Sequence, residues 1–145
     1  PMKLTSRLLP QMISRKSGHL IYVASQAGKI ATPKASVYAA TKHALLGYAA
    51  ATRMEVQSHH IHVTTINPGP IDTPFLDLAD AAGTYKTSLK KFLLSVDEVA
   101  NAIINVIDRP RREVNLPWYM GISSKLYGLA PGTLEKLGKN FFDKK

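Results

Sequence analysis

The apolar positions of this chain change period along its length, and each change predicts an element. Residues 3 to 16 place Leu4, Leu8, Leu9, Met12 and Ile13 at helical spacing with Arg7, Arg15 and Lys16 opposite, so the segment reads as an amphipathic helix. Pro10 removes one backbone hydrogen bond inside it and is expected to kink or restart the helix near its neighbour. Ser17-Gly18 reads as the helix stop. From His19 to Ala24 both alternating faces are apolar, as expected of a central strand in a parallel sheet covered by helices on both sides. Gln26 to Pro33 is a loop punctuated by Gly28 and Pro33, and Ser36 stands where its hydroxyl can cap the next helix, expected to end near Ser58. Ile61 to Ile66, rich in β-branched residues, predicts a second strand, ended by Pro68 and Pro70.

Beyond that strand the pattern weakens. Phe75 to Leu94 mixes Ala, Gly83, Thr, Ser and Lys without a clear period. Ser95-Val96-Asp97-Glu98 is a capping box, and Val99, Ala100, Ile103, Val106 and Ile107 give the following helix an apolar face until Pro110. Glu113 to Leu116 fits a short final strand. Residues 117–145 form a basic tail carrying Trp118, Tyr119, Met120, Leu126, Tyr127, Leu134, Leu137, Phe141 and Phe142 among lysines. Such a tail can lie on a membrane surface, on another subunit or on its own domain.

Composition narrows the class. The chain has 145 residues, 45% of them hydrophobic, enough for the core of one domain. No run reaches the 18 or so apolar residues of a membrane span, and Pro1-Met2-Lys3-Leu4-Thr5 has no signal-peptide pattern, so a soluble, cytoplasmic protein is the expectation. The absence of cysteine excludes disulfides and Cys-ligated metal sites. The net charge of +9 is scattered, and no nucleic-acid-binding motif accompanies it, so nucleic acid is not expected as a partner. His59, His60 and His62 span a helix-to-strand turn where neighbouring side chains diverge and no carboxylate is close in sequence; no metal site is expected there.

One pair suggests a reaction. Tyr38 and Lys42, in Val37-Tyr38-Ala39-Ala40-Thr41-Lys42, stand four apart, which on a helix puts them on one face with Cβ atoms about 6 Å apart. A neighbouring ammonium favours the phenolate and lowers its pKa of about 10, fitting Tyr38 to exchange a proton with a hydroxyl or carbonyl. By itself Tyr-x-x-x-Lys also occurs on solvated helices. Ser25 ends the apolar run Leu20 to Ala24, at the carboxyl end of a strand, where open α/β sheets bind ligands; its alternative role is a turn hydrogen bond. Pro68-Gly69-Pro70-Ile71-Asp72-Thr73, after the second strand, is on composition alone equally a plain strand-ending turn.

Taken in order, the apolar segment ending in Ser25, then Tyr38-x-x-x-Lys42, then Pro68-Gly69-x-x-x-Thr73, resemble the short-chain dehydrogenase/reductase family from about Leu8 to Phe75, and more loosely to Trp118. The resemblance implies an α/β fold with a doubly wound parallel sheet of Rossmann type, of which residues 1–145 would be the carboxyl-terminal part. The Gly-x-x-x-Gly-x-Gly turn and the Asn-Asn-Ala-Gly segment have no counterpart here. It implies an oxidoreductase that moves a hydride between a nicotinamide cofactor and a small-molecule carbonyl or alcohol. Tyr38 would be the general acid or base, Lys42 would lower its pKa and hold the nicotinamide ribose, and Ser25 would hydrogen-bond the substrate oxygen. Pro68, Gly69, Ile71 and Thr73 would meet the cofactor, and Phe75, Leu76 and Leu78 fall in the substrate-covering segment. Similarity around Glu113 to Trp118 to the steroid- and retinoid-type branch favours NADP, with NAD as the alternative. The family's pairing of the alanine-rich helix with its symmetry mate implies a homodimer or tetramer, although an ordinary buried helix accounts for the small residues nearly as well. A non-catalytic α/β interaction module descended from such an enzyme is the alternative function.

Overall fold

The computed structural model describes residues 1–79 and 84–137. The elements run α1 (Met2–Arg15), β1 (Gly18–Val23), a 3-10 turn (Gln26–Gly28), α2 (Ser36–Val56), β2 (Ile61–Pro68), α3 (Pro74–Ala79), α4 (Thr84–Leu89), α5 (Val96–Asp108), β3 (Glu113–Leu116), α6 (Trp118–Leu129) and α7 (Pro131–Leu137). The strands form a parallel sheet in the order β1-β2-β3, with Leu20 opposite Val63, Val23 opposite Ile66, and Pro68 opposite Leu116.

The side-chain period of two divides the core between the two sheet faces. Leu20, Tyr22, Ala24 and Val63 pack with Leu45, Ala49 and Val56 of α2, and Leu9, Met12 and Ile13 of α1 join them. Ile66 packs on the other face with Val99 and Val106 of α5, flanked by Ile21 and Val114. Helices thus cover both faces, the doubly wound arrangement read from the sequence. The central strand is β2, buried at every position except His62. Among the described residues β1 pairs with β2 alone, so it lies at an edge of this sheet rather than inside it, and Val23 is 46% exposed.

Local chemistry departs from the sequence reading in several places. Helix α1 continues through Pro10 without a restart, because one lost hydrogen bond is a small loss beside the packing of Leu9, Met12 and Ile13 on the sheet. Leu4 and Leu8, on the apolar face read from the sequence, are 63% and 40% exposed, and Thr5 is buried with its hydroxyl 2.9 Å from Tyr22 Oη. The helix stop is Lys16, left-handed at φ 50°, with the amides of Lys16 and Ser17 on the carbonyls of Ile13 and Met12. Gly18 belongs to β1. Ser36 makes no capping bond and is instead the first residue of α2, whereas the Ser95–Glu98 capping box is formed as predicted.

Part of the tail packs on its own domain. Gly121 of α6 sits against Asn115, where a Cβ would lie 2.8 Å from Nδ2, and Ser124 is buried. Trp118, Ile122, Leu126 and Leu129 face outward, the first 73% and the last 83% exposed. Phe141 and Phe142 lie outside the described residues. Among the described residues no helix is long and apolar enough to cross a membrane.

Candidate active site

Three segments meet at the carboxyl end of the sheet, and short contacts fix each against the next. Ser25, which follows β1, caps the 3-10 turn: its Oγ accepts from Ala27 N at 3.1 Å and lies 3.5 Å from Pro68 O. The turn hydrogen bond considered as its alternative role is therefore made. Gly28 ends the turn against α2. A Cβ there would lie 2.9 Å from the carbonyl carbon and oxygen of Lys42, so only glycine lets the Ser25 turn rest on that part of the helix.

On α2, Lys42 Nζ donates to Val23 O at 3.2 Å, at the end of β1 and two residues before Ser25. The same nitrogen stands 5.6 Å from the centroid of the Tyr38 ring, within cation–π range. The helical spacing thus puts the two side chains on one face, with the ammonium over the ring. Burial pushes the Lys42 ammonium below its ordinary pKa, and among the described residues Lys42 makes no ion pair. Tyr38 is 37% exposed, and the Phe75 ring at the start of α3 lies 6.0 Å from its ring, tilted by 36°. Of its neighbours in the covering segment, Leu76 is buried and Leu78 is 84% exposed.

The turn after β2 is held on both sides. Gly69 N donates to Leu116 O at 2.6 Å, and Met120 Sδ of α6 packs where a Gly69 Cβ would be. Ile71 bridges Leu94: Asp72 N donates to Leu94 O and Leu94 N to Pro70 O, both at 2.9 Å. This ladder uses the groups flanking Ile71 and turns Ile71's own N–H and C=O to the opposite side. Thr73 Oγ1 donates to Ile71 O at 3.5 Å. Lys86 of α4 pairs with Asp72 and Asp77, fastening α3 and α4 to this turn.

Beneath these groups lies a polar cluster to which the sequence reading assigned no role. Gln26 Nε2 donates to Asn67 O at 2.8 Å and to Asn115 Oδ1 at 3.0 Å. Asn115 Oδ1 also accepts from Lys29 Nζ and Asn67 Nδ2, and Lys29 pairs with Glu113 at 2.6 Å. Burial pushes the Glu113 carboxyl up, but hydrogen bonds from Lys29 and Asn115 together with the Lys29 charge outweigh it and hold the group below its ordinary pKa. Gln26 Oε1 and Asn67 Oδ1 are buried without a partner among the described residues. Each such oxygen costs roughly 1–3 kcal/mol, about what the two bonds from Gln26 Nε2 return at roughly 0.5–1.5 kcal/mol apiece. The one sequence signal was a glutamine directly after Ser25, with a lysine three residues further on.

The sheet order, the helices on both faces and the ordered segments at the strand ends define a Rossmann-type dehydrogenase fold. Residues 1–82 match the family model described as short chain dehydrogenase, and the chain belongs to that family. Among curated relatives it is 36% identical over 142 residues to the Bos taurus dehydrogenase/reductase SDR family member 7B, an alignment covering 94% of this chain and 44% of that protein. Among solved structures it is similar to a serine dehydrogenase complexed with NADP+, with TM-score 0.65, 26% identity, and coverage of 77% of this chain and 48% of that one. It is also similar to a 4-hydroxyisoleucine dehydrogenase complexed with NADH, with TM-score 0.66, 25% identity, and coverage of 74% and 46%. The chain spans less than half the length of the curated relatives it matches.

Proposed function

We propose that this protein is an oxidoreductase moving a hydride between NADP, with NAD as the alternative, and a small-molecule carbonyl or alcohol. The observation that carries the reading is the placement of Lys42 Nζ, hydrogen-bonded to the last carbonyl of β1 and 5.6 Å from the Tyr38 ring centroid, beside the Ser25 turn. In the reducing direction Tyr38 gives its phenolic proton to the substrate oxygen as negative charge builds there, and in the oxidising direction it takes that proton back. Lys42 keeps a positive charge beside the Tyr38 ring. Ser25 Oγ accepts from Ala27 N, which leaves its O–H to donate. Its contact with Pro68 O, at 3.5 Å, is weak enough to be exchanged for a substrate oxygen.

Two features support a nicotinamide site. The Lys42 ammonium has three donors and spends one on Val23 O, leaving others for ribose hydroxyls. The N–H and C=O of Ile71 face away from Leu94, as a carboxamide partner requires. Pro68, Gly69, Ile71 and Thr73 are assigned to this cofactor end, and Phe75, stacked near Tyr38, to the substrate side. Bound there, the cofactor would supply the hydride chemistry. The two similar structures hold NADP+ and NADH respectively, which accords with a nicotinamide cofactor for this chain and leaves the preference to measurement. Consumption of NADPH and NADH by the intact protein against a panel of aldehydes and ketones tests the reading. Cofactor-dependent turnover is expected, and its absence with both cofactors would favour the non-catalytic interaction module instead.

A further inference from the structure

We propose that Gln26 is a positioning residue, whose side-chain amide sets the Ser25 turn at a fixed distance from the Asn67–Thr73 turn. Its Nε2 donates to Asn67 O, the last carbonyl before Pro68, at 2.8 Å, and to Asn115 Oδ1 on β3 at 3.0 Å. One amide thereby joins the turn after β1 to the ends of β2 and β3. Gln26 is 5% exposed and Asn67 fully buried, so water does not compete for these bonds. Among the described residues, the other hydrogen bond between the two turns, from Ser25 Oγ to Pro68 O, is 3.5 Å and too long to fix their spacing. Gln26 Oε1 is buried without a partner among the described residues. An apolar side chain of similar length would leave no orphan oxygen, but it could not tie the turns.

The consequence for turnover rests on the oxidoreductase reading above, whereas the tie itself is measurable without activity. Gln26→Met keeps the length of the side chain and removes the donor. In the intact protein its melting temperature should stay within a few degrees of wild type, while amide hydrogen exchange in segments 25–28 and 69–73 rises at least about fivefold. Exchange that stays unchanged in both segments overturns the proposal, whether or not the protein turns over a substrate. Gln26→Glu supplies an independent arm, and decides the matter if the Met variant does not fold. A protonated carboxyl can donate to Asn67 O and a carboxylate cannot, so exchange in both segments should be near wild type at acid pH and accelerate as the carboxyl ionises, a limb absent from wild type. A Glu variant that follows the wild-type pH dependence overturns the proposal. Where turnover is seen, Gln26→Met should lower kcat about tenfold with less than a threefold change in substrate KM. An active Tyr38→Phe variant would end the acid–base role assigned to Tyr38, and absent turnover with both cofactors would end the oxidoreductase assignment; either result leaves the exchange measurement to decide the tie.

Discussion

A Cβ on residue 28 would lie 2.9 Å from the carbonyl of Lys42, and backbone, unlike the end of a side chain, has no rotamer by which to yield. Gly28→Ala should therefore lift the Ser25 turn from α2, at a cost of about 1–3 kcal/mol. A melt of the Ala variant matching wild type would show that the contact is not tight. A second consequence at this scale is set by pH. The Glu113 carboxyl is held below its ordinary pKa in the folded protein by Lys29 and Asn115, so its contribution is present above the unfolded value of about 4.3 and is lost as pH falls through the lower folded value. Glu113→Gln should lower the melting temperature at pH 7 by roughly 5 °C, corresponding to about 1.5 kcal/mol, and the gap should close at strongly acid pH. A gap that persisted there would mean that shape rather than charge holds the pair. Tyr38 and Lys42 were legible in the sequence because four residues on a helix is a local relation. Gln26, Asn67 and Asn115 were not, because Gln26 meets Asn67 and Asn115 across 41 and 89 residues of chain, a relation only strand order creates.

Among the elements, the strands and long helices followed from period alone, while their ends followed chemistry that the period does not encode. Lys16 rather than Gly18 stops α1, and α2 opens without a hydroxyl cap. The outward face of α2 carries Ala40, Ala44, Gly47 and Ala51 between Val37 and Met54, each of the last two 78% exposed, and α1 adds exposed Leu4 and Leu8. Small residues allow close approach of a second surface, and the two helices are the proposed interface of a homodimer or tetramer. At Gly47 an added Cβ meets nothing within 4 Å, so Gly47→Glu tests this without disturbing the monomer, and glutamate is the better helix former. Light scattering on the intact protein should give an oligomer for wild type and a smaller species for the variant. An unchanged mass, or a monomeric wild type at micromolar concentration, would move the interface elsewhere or remove it.

The molecule as a whole is a parallel sheet with helices on both faces that brings the Ser25 turn, the Tyr38–Lys42 face of α2 and the Pro68–Thr73 turn to one end. The segment after the Pro68–Thr73 turn sets Phe75 beside Tyr38 and is fastened through Lys86 to Asp72 and Asp77. Each strand-end segment was recognisable in the sequence. Their mutual tie by Gly28, Lys42 and Gln26 needed coordinates, because those contacts join elements rather than neighbours along the chain. The central claim is that this end of the sheet moves a proton through Tyr38 in step with hydride transfer. The most direct measurement is the single-turnover rate of Tyr38→Phe in the intact protein with bound nicotinamide cofactor. The account predicts a loss of about 10² or more with melting temperature and cofactor affinity close to wild type, whereas a Phe variant turning over at near wild-type rate would contradict it.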